Sequence, residues 1–434
     1  FKRNLVKNKK TINKKVMVDF NFGINFDKFD LNLPLHYDDG FLFRFDENFK
    51  LNDLVMYNRF WDIRNISNKE RFYNKKGIQI VGVRNRKSSI TYKAIYNSLK
   101  HMQKYFWILN KEFNFISSSK YHYACLKFFF KSIITFWDLD SVNVKTYLSR
   151  IDYDHNHHPV GFVCKILGIH FASIAHSPGL GFVGDPRAGI LSFDSHFCHA
   201  PIISEKFYPS WKKSFTDIYS VGVWRSDIIY MLKLSKDSEK KRKEILTKFD
   251  CKFITILHSP PLDTCLVDKV ISEDWIDAFT KIINQNPNDL FVICERHSEI
   301  NLVPIYKNWL SQIISLPNVV QHFSIFKNST QSYNLLSISD LSMSPNYSDQ
   351  FFESVANNIQ AITYSTSVTE VNYIKDFFSS FIASNGSDLI KIYNRIRKNE
   401  SNIDKAFKDI RQILGHADGK SISRMAKKIR ETNT

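Results

Sequence analysis

Between Cys251 and Tyr364, short apolar runs alternate with amphipathic stretches about ten residues long, and this constrains the fold more than any other feature. Residues 253–257, 290–294, 319–320, 340–343 and 360–364 read as strands. Residues 273–284, 304–314, 330–337 and 348–357 read as the helices between them. Pro304 suits a first helical turn, where its missing N–H has no intrahelical partner to lose. Strands joined by helical crossovers pair in parallel, and a parallel sheet needs helices over both faces.

Upstream the pattern is thinner. Residues 78–83 read as a buried strand, 91–105 as a helix, 106–109 as a strand and 124–136 as an inside helix. Residues 160–167 read as a helix and 169–175 as a strand, stopped by the loop at Pro178 and Gly179. Residues 1–75 are polar and basic, with candidate strands at 15–20 and 40–45. Residues 372–434 read as helices with a basic surface, clearest at 402–414 and 421–431. The expected architecture is two α/β domains, a crossing segment near 215–250 and a helical tail.

Composition excludes several classes. With 14 Gly and 12 Pro in 434 residues the chain is neither collagen-like nor low-complexity, and 43% hydrophobic residues place it among globular proteins. No apolar run approaches the roughly 18 residues of a membrane span; the densest, 128–137 and 377–382, are short and broken by polar residues. Cys125, Cys164, Cys198, Cys251, Cys265 and Cys294 are too dispersed for a zinc ribbon or disulfide framework and read as core residues of a reduced, cytoplasmic protein. The chain opens at Phe1 without Met or a secretory signal, which reads as a processed or truncated start. A net charge of +17 suits an anionic substrate, an anionic membrane face or nucleic acid, and the 37 Phe residues argue against the last.

Ligands of open α/β sheets bind beyond the carboxyl ends of the strands. Four loops qualify in the second half: His258-Ser259-Pro260-Pro261, Glu295-Arg296-His297-Ser298, the run from Ser344 to Asp349, and Ser365-Thr366-Ser367. Arg296 and His297 offer donors to a phosphate. Helix amides beginning at Ser348 and Asp349 form an anion site with Ser348 as N-cap. Glu353, one turn further, is placed to accept from two ribose hydroxyls. The plainer alternatives are a simple cap at Ser348, a helix-surface charge at Glu353 and a loop residue at His297.

Several segments resemble the GT-B glycosyltransferases of bacterial surface-polysaccharide synthesis, including the polyol-phosphate, Kdo and sialic-acid transferase groups. YSVGVWRSDII (219–229) is similar to the segment preceding their second domain. LFVICERHSE (290–299) resembles their strand and basic-His loop, with Ser298 where proline is common. SDLSMSPNYSDQFFESVANNIQAITY (339–364) resembles their strand, serine-rich loop, Glu-bearing helix and strand, and HADGKSISRMAKKI (416–429) their Asp-Gly ending. The resemblance covers about residues 145–430. It implies two Rossmann-like domains facing across a cleft: an acceptor-side domain over 1–215, an interdomain segment over 216–250, a nucleotide-donor domain over 251–368 and a helical tail over 369–434 packing back on both.

LGIHFASIAHSPG (167–179) resembles the last strand of the family's first domain, commonly ending His-Gly; here Ser177 follows His176. His176 is thereby expected to act as base or orienting donor near the reacting sugar carbon, or else to be a hydrogen-bonded turn residue. In DYDHNHHPV (152–160), Asp154 and His155 are candidates for the acceptor-side acid or base. Asp152 and Asp154 also match the Asp-x-Asp metal motif of GT-A transferases, but no zinc-ligand spacing is present, so no metal site is assigned. Arg225, Ser259, Arg296, His297, Ser348, Asp349 and Glu353 are then the donor-binding set, with Arg225, Arg296, His297 and helix amides offsetting leaving-group charge.

The expected protein is a nucleotide-sugar-dependent glycosyltransferase with no tightly bound cofactor, its donor entering as substrate. The expected partners are a glycan or lipid-linked acceptor and, peripherally, an anionic membrane at the cytoplasmic face, without nucleic acid. The alternatives are a polyol-phosphate transferase of the same fold, a metal-dependent Asp-x-Asp transferase, and a non-catalytic nucleotide- or carbohydrate-binding scaffold.

Overall fold

The computed structural model describes residues 16–19, 54–58, 79–82, 119–140, 142, 144–149, 157–175, 193–200, 215–258, 273–294, 304–326, 332–345, 349–364 and 378–432, with positions 96, 100 and 103 singly. The first sheet contains β1 (Val16–Asp19), β2 (Leu54–Asn58), β3 (Gln79–Gly82), β4 (Thr146–Ser149), β5 (His170–Ile174), β6 (Phe193–Cys198) and β7 (Phe215–Ser220). Its order is β3-β2-β1-β4-β5-β6-β7, parallel throughout. Helix α1 (Ser119–Asp140) and helix α2 (His157–Leu167) pack together over it. Val160, Val163 and Cys164 of α2 are buried at helical spacing, and Gly168 ends the helix at φ +67°, with Ile169 N–H donating to Cys164 O at 2.8 Å.

The second sheet contains β8 (Phe253–His258), β9 (Asp289–Cys294), β10 (Val319–Gln321), β11 (Leu341–Pro345), β12 (Gln360–Tyr364) and β13 (Ile382–Ala383). Its order is β10-β9-β8-β11-β12-β13, also parallel. Helices α3 (Ser226–Lys233) and α4 (Lys236–Lys248) precede this sheet, α5 (Glu273–Gln285), α6 (Pro304–Ile313), α7 (Ser332–Ile338) and α8 (Asp349–Ala356) lie between its strands, and α9 (Gly386–Arg397), α10 (Ser401–Ile413) and α11 (Ser421–Thr432) follow it. Every residue of β9 is buried, as a strand covered on both faces requires. Phe291 and Ile293 face a core shared with α5, α6, α8, α9 and α10, whereas Leu290 and Val292 face one shared with α4 and α7. Trp275, Ala278, Phe279, Ile282 and Ile283 make the buried stripe of α5, and Trp275 meets Phe279 and Trp309 at 4.5 and 5.1 Å.

Three segments differ from the sequence reading. Residues 215–220 are the edge strand β7 of the first sheet rather than part of a crossing segment. Helices α3 and α4 pack on the second-sheet side, Ile228 and Ile229 against Tyr333 and Leu336, and Ile245 against Ile254 and Ile338. Within the expected helical tail, Ile382 and Ala383 pair with β12 as a sixth strand. The two strands escape a sequence reading because Asp217 interrupts the apolar run of β7 and β13 is only two residues long.

The two sheets are tied by their connecting chain. Trp224 Nε1 donates to Ala175 O at 3.2 Å, joining the end of β5 to the start of α3. The last helix returns to this junction: Asp227 Oδ2 accepts from Ile422 N at 2.9 Å, and Arg424 Nη1 donates to Val221 O at 3.2 Å. Gly222 is needed there twice over. Its φ is +101°, and a Cβ would lie 2.5 Å from His416 O.

Candidate functional site

In each sheet the strand order reverses once, between β1 and β4 in the first and between β8 and β11 in the second. Helices leave such a point toward opposite faces and open a crevice beyond the strand ends. In the second sheet this reversal is flanked by His258, the last residue of β8. The sequence pattern placed His258 in a loop; it is instead a buried strand residue, with Nε2 3.1 Å from Ser342 Oγ on β11. Burial pushes its imidazole down to about 4, so it is neutral near pH 7. Extending the β8–β11 register by one residue sets Ser344 beside His258, and the buried Ser344 hydroxyl has no hydrogen-bond partner among the described residues.

Helix α8 starts just beyond β11. Its first residue, Asp349, pairs with Arg225 Nη1 at 2.5 Å. Arg225 precedes α3, is only 9% exposed, and lies over the Trp224 ring at 5.1 Å. Two expected donor-site residues 124 positions apart are thus brought together, in a pair that engages the Arg225 charge. Glu353, one turn into α8, is not the surface charge its spacing also allowed. It is 2% exposed, and Tyr333 OH of α7 donates to Oε1 at 3.4 Å. Asn357 Nδ2 then donates to Glu353 O at 2.8 Å and to Ser226 O at 3.0 Å, fastening α8 to α3.

His176, Asp154, His155, Ser259, Arg296, His297 and Ser348 lie outside the described residues. The strands that lead to three of them are described. β5 ends two residues before His176, β8 immediately before Ser259, and β9 two residues before Arg296. Among the described residues, no group of three or more His, Cys, Asp or Glu side chains is placed to hold a metal ion.

Sequence reasoning passed over Tyr333, Trp224 and His196. Trp224 was visible, being adjacent to Arg225 in the WRSD run, but Tyr333 carries no motif and reaches Glu353 only through the packing of α7 on α8. His196 of β6 is fully buried, with Nδ1 2.6 Å from Ser173 Oγ on β5. Burial, and then the neighbouring His199, push it down to about 3.

This two-sheet arrangement is similar to several solved structures. The S. aureus MnaA–UDP co-structure matches with a TM-score of 0.55 at 12% identity, covering 96% of each chain. UDP-GlcNAc 2-epimerase from Neisseria meningitidis bound to UDP-GlcNAc matches at 0.53 and 10% identity, over 96% of this chain and 99% of that one. The wall teichoic acid polymerase TagF, in a structure soaked with CDPG, matches at 0.51 and 11% identity, over 99% of this chain and 91% of that one. The fold is GT-B. No protein-family model matches the chain, and no curated protein does. Trp224, Arg225 and Asp227 lie in the chain that connects the last strand of the first sheet to the helices of the second.

Proposed function

We propose that the chain is a glycosyltransferase that moves a sugar from a nucleotide-activated donor to a glycan or lipid-linked acceptor in cell-surface polysaccharide synthesis. The observation that carries this reading is the strand-order reversal between β8 and β11, with α8 starting just beyond β11 and its first residue, Asp349, paired with Arg225. The GT-B fold adds support, as do UDP, UDP-GlcNAc and CDPG, the ligands named for the three structural neighbours.

In this reading the nucleotide lies beyond β8 and β11. Donor phosphate competes with Asp349 for Arg225, and Arg296, His297 and the α8 amides offset the charge on the departing phosphate. Glu353, held by Tyr333, accepts from the ribose after a small rearrangement of that contact. On the other domain, His176 or the Asp154–His155 pair takes the proton of the attacking acceptor hydroxyl, and a positioned base of this kind contributes about 10²- to 10⁴-fold. A polyol-phosphate donor would use the same crevice.

The first test is calorimetric titration of the chain with CMP, CDP, UDP and GDP, followed by turnover of the matching nucleotide sugars and of CDP-polyols with and without EDTA. One nucleotide is expected to bind selectively. Glu353→Gln is expected to weaken it by about tenfold or more, the loss of a charge-assisted bond being worth roughly 1.5 to 3 kcal/mol. Unchanged affinity in Glu353→Gln removes Glu353 from the site. Binding without turnover of any donor favours the scaffold, and loss of activity in EDTA favours the Asp-x-Asp transferase.

A further inference from the structure

The strand register sets Cys294, His258, Ser344 and Thr363 side by side on one face of the second sheet, across β9, β8, β11 and β12. Two residues earlier the same face carries Val292, Ile256, Ser342 and Ala361, and below them Leu290 and Ile254. A mostly apolar face thus turns polar at the carboxyl ends of its strands, where an open α/β sheet takes its ligand. The polar row crosses the reversal between β8 and β11. All four of its residues are buried.

Buried hydroxyls and imidazoles are costly unless each finds a hydrogen-bond partner. The first sheet meets that demand internally: its row of Ser149, Ser173 and His196 is wholly buried and leaves no side-chain N or O atom unpaired. The second sheet does not. His258 engages Ser342 Oγ through Nε2 at 3.1 Å, and its Nδ1 has no partner among the described residues. The Ser344 hydroxyl on the adjacent strand has none either. Neighbouring strands lie about 4.8 Å apart, so one oxygen atom seated between these two side chains can hydrogen-bond both.

Charge decides what carries that oxygen. Burial alone keeps the His258 ring neutral near pH 7, and no charged group among the described residues acts on it. A phosphate on the row would be buried without a cation, which is strongly unfavourable. Arg225, paired with Asp349 at the start of α8, offers phosphate a cation instead. A sugar or polyol hydroxyl is uncharged and both donates and accepts, which suits a ring nitrogen beside a serine hydroxyl.

We propose that His258 and Ser344 form a subsite for one hydroxyl of the donor's sugar or polyol group, separate from the place of its phosphates. That the hydroxyl belongs to a donor rests on the proposed function; that the subsite takes an uncharged hydroxyl does not. The test is calorimetry at pH 7.5 with the nucleotide selected in the first titration, alone and as its sugar and polyol esters. Ser344→Ala and His258→Gln are each expected to weaken the preferred ester about three- to tenfold, the loss of one neutral hydrogen bond, and to leave the bare nucleotide within about twofold. Ser344→Ala is also expected to keep or raise the urea midpoint, because the hydroxyl it removes is unpaired in the free chain. The ¹⁵N resonances of the His258 ring, assigned by their loss in His258→Gln, should move with the ester and not with the nucleotide. Equal losses for nucleotide and ester, or no loss for either, overturn the subsite and leave the donor reading standing. A large fall in the urea midpoint of Ser344→Ala also overturns it, since the hydroxyl then serves the fold. If no nucleotide binds, the donor reading fails, and free N-acetylglucosamine and glycerol decide the subsite. Shifts of the His258 resonances that vanish in Ser344→Ala uphold it, and unmoved resonances overturn it.

Discussion

Each sheet buries a neutral histidine against a serine of the neighbouring strand, yet the two pairs occupy different places. In the first sheet His196 and Ser173 lie within β6 and β5, between strands that continue the order on one side of the reversal. In the second, His258 and Ser342 straddle the reversal itself, and His258 ends its strand. Residue type, burial and hydrogen bonding are nearly the same, so none of them marks a functional histidine. What separates the two pairs is position relative to the strand-order reversal, the place where a ligand of an open α/β sheet is expected.

Acid gives the largest expected effect and the first way to break this comparison. Burial holds His196 at about 3 and His258 at about 4, both below the ordinary 6.5. The unfolded chain therefore takes up protons before the folded chain does. The stability each neutral ring contributes is complete above about pH 6.5 and declines as pH falls, down to about 3 for His196 and about 4 for His258. At about 1.4 kcal/mol per pH unit the loss is up to roughly 5 kcal/mol for His196 and roughly 3 for His258. Urea unfolding between pH 7 and 3.5 should show His196→Asn flattening the profile more than His258→Asn. The comparison sharpens if a pH dependence of nucleotide affinity near pH 4 is lost only in His258→Asn. It fails if His196→Asn does the same.

Two aspartates extend the contrast at the next magnitude. Asp289, at the start of β9, is 1% exposed and accepts from Tyr393 OH at 2.8 Å and from Arg397 Nε and Nη2 at 2.7 Å. Asp194 of β6 has a side chain 54% exposed and lies 3.9 Å from His170 Nδ1. Asp289→Ala leaves a cation and a buried phenol without their acceptor and is expected to cost about 3 to 5 kcal/mol. Asp194→Ala is expected to cost under about 1.5 kcal/mol, chiefly through the Phe171 N–H it satisfies at 2.8 Å. Equal shifts in the urea midpoint would mean that the first domain depends on its surface charges as much as the second does on its buried clamp.

The same contrast explains what could be read from the sequence. The strands and helices of residues 253–364 fall within a few positions of their sequence-based limits, because strands buried on both faces are continuous apolar runs flanked by strongly amphipathic helices. β4, β6 and β7 went unrecognised because Thr146, Ser149, Asp194, Ser195, His196 and Asp217 interrupt any apolar run. At the site, Arg225, Asp349 and Glu353 were named, but the pairing of the first two and the burial of the third were not. The pairing arises where α8 meets the start of α3, more than 100 residues away in sequence, and the burial where α7 packs on α8; periodicity reports only on neighbours within one element. His258 was taken for a loop residue because the adjacent Ser259-Pro260-Pro261 run dominates the local signal.

The smallest expected effect lies at the joint, where the two regions meet. Trp224 is 1% exposed, and its indole N–H is the hydrogen bond from the joint to Ala175, the residue before His176. Trp224→Phe keeps an aromatic ring in place and removes that one donor, so it should cost only about 0.5 to 1.5 kcal/mol in urea unfolding. Ala175 N–H still donates to Phe197 O at 2.9 Å, so the end of β5 stays in the sheet while its carbonyl loses the indole. If His176 assists the acceptor, a small shift of this strand end should lower kcat and leave nucleotide affinity intact. A drop in affinity comparable to that of Glu353→Gln would mean that Trp224 acts on the donor side through Arg225, its stacking neighbour. The assignment of separate tasks to the two sheets would then fail at the joint that connects them.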